Sequence, residues 1–414
     1  MHLPSHVSLP PSLSENRTNI VPRILILTAS FGEGHNAAAK GLRMALEERE
    51  RLSLGLFAET KLIDLCTEAY PRLTRLARWG YLNAIHHAPK FWERVFNLFD
   101  GGNFLEERLQ ALSAIKNRLK QIIDEFAPHA VVSTFPFYNQ IIDALYPLEN
   151  SVPFLRFTIV TDSIRINSTW ARGHSDFFIV PNRLTLEALG EHGIPHSTIF
   201  DLGFPVSLKF ANCQIPRSEP PQWRIIYIPG GPWKNIEGNI RELLRFPQVD
   251  LTLLSGKDLS MYKALRNLSN KLSSTLNVVK WVDDMPERLL STHLFIGKAG
   301  GAIVQECMAA GCPMIISQVV PGQEEGNVAL IKQHNIGDVT ESPEELRALL
   351  TKLMENEALL FRSWKNHLLP LQRPLAAQTI ARFVLASCHP EMIQSLPGDL
   401  LRIHKKQHET LEQI

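Results

Sequence analysis

Short, unbroken apolar runs punctuate this chain, each followed by a glycine- or proline-bearing turn and then an amphipathic stretch. Arg23-Ile24-Leu25-Ile26-Leu27 shows no alternation of apolar and polar residues. That pattern predicts a buried parallel strand, covered on both faces. Asn36 to Glu50 predicts a helix, and Leu54 to Leu65 a further strand region. Leu109 to Phe126 has helical periodicity, while Ala130–Ser133, Phe154–Val160 and Phe177–Val180 predict strands, with a short helix over Leu184–Glu191 closed by Gly193. A second series predicts strands at Arg224–Ile228, Leu251–Leu254, Val278-Val279, His293–Ile296 and Pro313–Ile316. Helices are predicted over Ile303–Ala310 and Pro343–Asn356. Strand and helix alternate in both halves, so the expected fold class is α/β, with two Rossmann-like parallel-sheet domains facing a central cleft.

The break between the halves falls at Asn212–Gln222, where Pro216, Pro220 and Pro221 interrupt a stretch poor in large apolar residues. The expected organisation is a loose leader over 1–20, a first domain over 21–210, a linker over 211–222, a second domain over 223–385 and a tail over 386–414. A chain of 414 residues exceeds one ordinary core, which fits that division. The 43 basic and 42 acidic residues nearly cancel, so charge gives no case for nucleic acid. Cys66, Cys213, Cys307, Cys312 and Cys388 form no CxxC motif and are odd in number, which favours a reducing compartment over a disulfide scaffold. No apolar stretch is long enough to span a bilayer, so any membrane contact is expected to be peripheral.

Two glycine turns carry the candidate chemistry. In Ser30-Phe31-Gly32-Glu33-Gly34-His35, Gly32 and Gly34 let backbone N–H groups approach a ligand, and His35 opens the following helix. There the helix dipole disfavours the charged ring, keeping imidazole available as a general base; a packing or capping histidine fits the same pattern. The turn lacks GxGxxG spacing, and the chain has no GK[ST], so neither a dinucleotide fingerprint nor a P-loop is indicated. In the second turn, Gly297-Lys298-Ala299-Gly300-Gly301, backbone N–H groups at a helix opening suit a diphosphate without a metal. Glu306 follows on that helix, within reach of ribose hydroxyls or simply favoured by the dipole. The loop Pro321-Gly322-Gln323-Glu324-Glu325-Gly326-Asn327 follows a strand end and gathers amide and carboxylate groups suited either to a polyhydroxylated ligand or to a solvated turn.

Tyr70 to Phe104 is an insertion rich in aromatic and basic residues: Trp79, Tyr81, Phe91, Trp92, Phe96 and Phe99 among Arg72, Arg75, Arg78, Lys90 and Arg94. Such a segment is an interfacial membrane patch or an amphipathic packing face. Metal binding has little support, because His86 and His87 are adjacent and would diverge on a helix, and Asp162, Asp283 and Asp284 lack a His or Cys at ligand spacing. No GxSxG elbow is present.

Gly32-Glu33-Gly34-His35, Thr161-Asp162, Thr169-Trp170, Gly203-Phe204-Pro205-Val206, Gly297-Lys298-Ala299-Gly300 and the 321–327 loop occur in an order that resembles the monogalactosyldiacylglycerol synthase and processive diacylglycerol glucosyltransferase family. The resemblance implies a GT-B fold and inverting, metal-independent transfer of galactose or glucose from a UDP-sugar to diacylglycerol or a related membrane lipid. No cofactor is implied, since the UDP-sugar is a substrate. It implies His35 as base with Asp162 beside it. Gly230, Gly231, Gly300, Gly301, Glu306, Gln323, Glu324 and Asn327 are implied at the donor, and Gly32, Gly34, Trp79, Tyr81, Phe91, Trp92 and Trp170 toward the acceptor and an anionic membrane surface. The expected location is cytoplasmic, peripheral to the inner face of a membrane. An N-acetylglucosaminyltransferase acting on a polyprenyl-linked acceptor, a sugar-nucleotide epimerase and a noncatalytic lipid- or nucleotide-binding paralogue are the alternatives. The sequence departs from the family at Asn167, where a histidine is usual in T-D-x-x-x-x-H-x-x-W. It departs also at Gly230-Gly231-Pro232-Trp233, a reduced glycine cluster, and at Gly300-Gly301-Ala302-Ile303, which lacks the common proline.

Overall fold

The computed structural model describes residues 21–48, 57–77, 80, 113–147, 152–211, 222–272, 276–322 and 324–388. They divide into two compact units. The described residues before Lys209, together with those from Leu375 on, make one; Lys209–Pro374 makes the other.

In the first unit, six strands form a sheet in which every neighbouring pair is parallel: β1 (Arg23–Thr28), β2 (Glu59–Asp64), β3 (Ala130–Ser133), β4 (Leu155–Ile159), β5 (Phe177–Val180) and β6 (Ile199–Asp201), in the order β2-β1-β3-β4-β5-β6. Ile24, Leu25, Ile26 and Leu27 are all fully buried, as expected of a strand covered on both faces. The Glu33–Glu47 helix turns Ala38, Ala39, Leu42, Ala45 and Leu46 inward. Gly41 on the same helix is required by close approach, since a Cβ there would collide with the Pro205 carbonyl oxygen. The Gly203-Phe204-Pro205-Val206 motif therefore serves helix packing. Helices Ser113–Phe126 and Tyr138–Leu145 cover the sheet near β1 and β3.

The Ala376–Cys388 helix, divided by the sequence boundary at 385, packs on the first unit against the Glu33–Glu47 helix. Its Phe383 ring lies 4.6 Å from Phe200 and 5.4 Å from Phe177, centroid to centroid.

The second unit carries β7 (Trp223–Tyr227), β8 (Val249–Leu254), β9 (Asn277–Val279), β10 (Leu294–Lys298), β11 (Met314–Gln318) and β12 (Gly337–Val339), all parallel, ordered β12-β11-β10-β7-β8-β9. This is the doubly wound order with its reversal between β7 and β10. Its core gathers Tyr227, Ile240, Leu253, Leu294, Ile296, Leu346, Phe361 and Trp364. The α/β reading with two Rossmann-like parallel sheets holds. Two local boundaries differ: the first helix starts at Glu33, and Glu325–Gln333 is a helix where the sequence suggests a loop running through Asn327.

In open parallel sheets a ligand crevice forms beyond the strand C-termini where the winding reverses. In the first unit that point lies between β1 and β3; in the second, between β7 and β10. Each of the two glycine turns follows a strand at one of these reversals.

Candidate active site

At the first reversal the His35 ring is fixed from the β3 side. Its Nδ1 lies 2.7 Å from the carbonyl oxygen of Thr134. A carbonyl only accepts, so Nδ1 carries the proton and donates, leaving Nε2 with a free lone pair. The Thr161 hydroxyl oxygen stands 3.0 Å from the same Nδ1. The hydroxyl of Thr134 donates to the carbonyls of Leu27 (3.2 Å) and His35 (3.1 Å), tying the β1 and β3 ends to the helix start. Phe135 packs edge-on to the imidazole at 5.1 Å. Burial lowers the His35 pKa from 6.5 to about 4, and the Thr134 carbonyl pushes weakly the other way. The ring is neutral as the sequence requires, but burial is the main cause. Next to it in the chain, Asn36 accepts from the Thr28 hydroxyl (3.0 Å) and donates to Ser30 Oγ (3.2 Å), while Asp64 accepts from the Ser30 amide (3.1 Å). Gly32 takes φ 125°, open to glycine alone, and a Cβ on Gly34 would meet nothing within 4 Å.

Beside the histidine, the indole N–H of Trp170 donates to Asp162 Oδ2 at 2.7 Å. The Trp170 ring is buried, 6.1 Å from the imidazole and tilted 46° to it. Burial lifts the Asp162 pKa from 3.8 to about 6, and the indole hydrogen bond opposes this. Trp170 thus belongs to the buried wall around His35 and Asp162.

In the second unit, Gly230 and Gly231 follow β7, and a Cβ on Gly230 would collide with the side-chain oxygen of Gln318. That Gln318 oxygen is buried with no hydrogen-bond partner among the described residues, as is Asn327 Oδ1. Asn327 Nδ2 donates to the Ala299 carbonyl at 2.9 Å, so the glycine turn and the 321–327 segment are joined. Glu324 accepts from the Val320 amide at 3.0 Å; burial raises its pKa, against the pull of Lys298 and of the Val320 and Ala299 amides. Glu306 has its pKa lifted from 4.5 to about 7 by burial alone. Two orphaned carbonyl oxygens and two desolvated carboxyls around a glycine turn are acceptors waiting for donors, which a polyhydroxylated ligand supplies. Among the described residues, no group of three or more His, Cys, Asp or Glu is placed to hold a metal ion.

Residues 35–206 match the family described as monogalactosyldiacylglycerol (MGDG) synthase, and residues 240–379 match the glycosyltransferase family 28 C-terminal domain. A processive diacylglycerol beta-glucosyltransferase of Bacillus subtilis (strain 168) is 26% identical over 359 residues, covering 84% of this chain and 91% of that protein. This chain is a GT-B glycosyltransferase related to the MGDG synthase family. Solved structures agree on the fold. A UDP-GlcNAc 2-epimerase from Neisseria meningitidis, bound to UDP-GlcNAc, aligns with a TM-score of 0.56 at 14% identity, covering 88% of this chain and 99% of that one. Acinetobacter baumannii MurG aligns with a TM-score of 0.53 at 15% identity, covering 88% and 99%.

In this GT-B relative, the first unit brings together His35, Asp162, Trp170, Gly32 and Gly34. The second brings together Gly230, Gly231, Gly300, Gly301, Glu324 and Asn327, with Glu306 on the helix that the Gly300-Gly301 turn opens. Gln323, Trp79, Tyr81, Phe91 and Trp92 lie outside the described residues. Thr134 and Gln318 escaped the sequence reading, because each acts on a partner far along the chain. Thr161 was visible only as the neighbour of Asp162.

Proposed function

We propose that this GT-B glycosyltransferase moves galactose or glucose from a UDP-sugar onto the hydroxyl of diacylglycerol or a related membrane lipid, with inversion at the anomeric carbon. The observation that carries the proposal is the His35 tautomer: Nδ1–H is committed to the Thr134 carbonyl, so Nε2 is the basic atom. As the lipid oxygen bonds to the anomeric carbon, its proton passes to Nε2 and the bond from that carbon to the diphosphate oxygen breaks, releasing UDP. The donor is held by the second unit. Backbone N–H groups at the Gly300-Gly301 helix opening meet the charge growing on the leaving diphosphate. Glu306 accepts from ribose hydroxyls, and Glu324 and Asn327 from the hexose. The glucosyl- and galactolipid-forming relatives support the choice of sugar and acceptor.

Peripheral contact with the inner face of a membrane is part of the same reading. Residues 71–77 are helical; Leu73 and Leu76 are 59% and 63% exposed beside the exposed Arg72 and Arg75, while Thr74 is turned inward, its hydroxyl donating to the Cys66 carbonyl at 2.7 Å. Exposed leucines flanked by arginines suit an anionic bilayer surface.

The test is product mass and radiolabel transfer from a panel of UDP-sugars to diacylglycerol vesicles, with His35→Ala alongside. Glycolipid from one donor, lost in the variant, supports both reaction and base. Transfer only to a polyprenyl-linked acceptor replaces the acceptor assignment, and donor binding without turnover on either acceptor replaces the enzyme by a noncatalytic paralogue.

A further inference from the structure

Between Thr161 and Ala171 the chain leaves β4, passes Asp162 and arrives at Trp170 by a route that hydrogen bonds at two positions fix. Ile164 holds φ 58°, a left-handed conformation that a β-branched side chain strongly disfavours. It is kept there by its amide, which donates to the Thr185 hydroxyl at 3.0 Å. Thr185 is itself fully buried and held by Asn182. The second position is Asn167. Its side-chain oxygen accepts from the Thr169 amide at 3.0 Å and from the Thr169 hydroxyl at 2.6 Å. Asn167 is thereby the N-cap of the single 3₁₀ turn Ser168–Ala171, and Trp170 is the third residue of that turn.

A one-turn helix has almost no internal hydrogen bonding with which to hold its own orientation. The cap supplies it. With the turn fixed, the buried indole projects its N–H onto Asp162 and its ring toward the imidazole of His35. The left-handed turn at Ile164 lets the chain run from Asp162 back to Trp170, so that the indole N–H meets the Asp162 carboxylate and the indole ring lies 6.1 Å from the imidazole of His35.

We propose that Asn167 is a positioning residue: by capping the Ser168–Ala171 turn it aims the Trp170 indole N–H at Asp162 and keeps that carboxyl oriented beside His35. The capping job requires only a side-chain oxygen, which Asn167 supplies. This inference rests on the proposed transfer reaction for its kinetic consequence, and on geometry alone for its structural one.

The experiment therefore has two readouts on the full-length protein. In the first, ¹⁵N-tryptophan spectra follow the indole N–H of Trp170, assigned with Trp170→Phe, in wild type, Asn167→Ala, Asn167→Asp and Asp162→Ala. The hydrogen-bonded resonance should move toward the free indole position in Asn167→Ala and Asp162→Ala, and hold in Asn167→Asp, which retains the capping oxygen. In the second, steady-state transfer should show kcat about tenfold or more lower in Asn167→Ala with KM for the UDP-sugar unchanged, and largely restored in Asn167→Asp. Trp170→Phe should lower kcat alike, with no further loss in the double variant. Equal indole spectra in wild type and Asn167→Ala, or additive losses in the double variant, overturn the proposal. A wild type without transferase activity but with the predicted spectral pattern overturns the proposed reaction and leaves the positioning role standing.

Discussion

The Nδ1 atom of His35 and the backbone carbonyl of Thr134 are 2.7 Å apart, although 99 positions separate them in the chain. One hydrogen bond across the reversal between β1 and β3 decides which ring nitrogen is basic and, with burial, in which direction the proton runs. Replacing His35 by alanine should cut turnover by about 10²–10⁴-fold, the usual contribution of a positioned base. Calorimetric binding of UDP, which the proposed function assigns to the second unit, should stay within error of wild type. Loss of both together would indicate a folding defect in place of a missing base.

The depressed His35 pKa also has a stability consequence. The unfolded ring binds its proton near pH 6.5 and the folded ring only near 4. The unfolded state therefore binds more protons throughout that window. Stability from this residue is complete above about pH 6.5 and is lost as pH falls toward 4. His35→Gln should flatten the decline in unfolding free energy between those pH values in urea titrations. An identical pH slope in wild type and variant would show that the ring titrates normally.

Glu306 runs the other way. Its pKa is raised from 4.5 to about 7 by desolvation, so its neutral form suits the fold below pH 4.5, and that advantage is lost as pH rises through about 7. Glu306→Gln should therefore stabilise the nucleotide-free protein at pH 8 by on the order of 2 kcal/mol and change little at pH 4.5. The same substitution should weaken UDP binding about tenfold, as expected for loss of a charged acceptor to ribose. Thermal melts with and without UDP at both pH values check the pair of signs.

Gly41 and Gly34 lie on one helix and should respond oppositely to alanine. At Gly41 a Cβ meets the Pro205 carbonyl oxygen, which is backbone and has little room to retreat. Gly41→Ala should cost about 1–3 kcal/mol of unfolding free energy. At Gly34 the same atom meets nothing within 4 Å, so Gly34→Ala should be neutral or stabilising by up to about 1 kcal/mol. Denaturant midpoints of the two variants decide this.

For the exposed leucines, sedimentation with anionic liposomes is the direct measurement. Leu73→Ser combined with Leu76→Ser should weaken partitioning by on the order of tenfold per leucine removed from the bilayer. Melting temperature should be unaffected, since both side chains are already more than half exposed. Unchanged partitioning would move the membrane contact elsewhere on the protein.

How much of this was legible beforehand follows from the range of each interaction. The apolar run Ile24–Leu27 and the turn after it are local: four consecutive buried side chains and two glycines say what the backbone does there. The resemblance marked His35, Asp162 and Glu306 because their neighbours in the chain form recognisable motifs. Thr134 and Gln318 carry no such signal. Each matters only because two strands lying side by side bring it to a loop remote in sequence. The pairing of His129 with Arg23 and of His293 with Arg224 shows the same limit. In both, a ring Nδ1 accepts an amide from the first two residues of a strand at 3.0 Å, and no spacing in the chain announces it.

The chain's own order of residues determined two parallel sheets, two glycine turns at helix openings and a basic, aromatic segment after the second strand, because burial, backbone freedom and helix starts are set within a few residues. The tertiary structure decided which atoms those features present. Strand order put both turns at reversals of winding, a carbonyl from another strand selected the His35 tautomer, and an asparagine cap turned Trp170 onto Asp162. It also returned the Ala376–Cys388 helix to the first sheet, where Phe383 packs among Phe157, Phe177 and Phe200. Hydrogen bonds and ring contacts between distant segments depend on how strands stack, and that stacking minimises the free energy of the whole molecule rather than of any stretch of it.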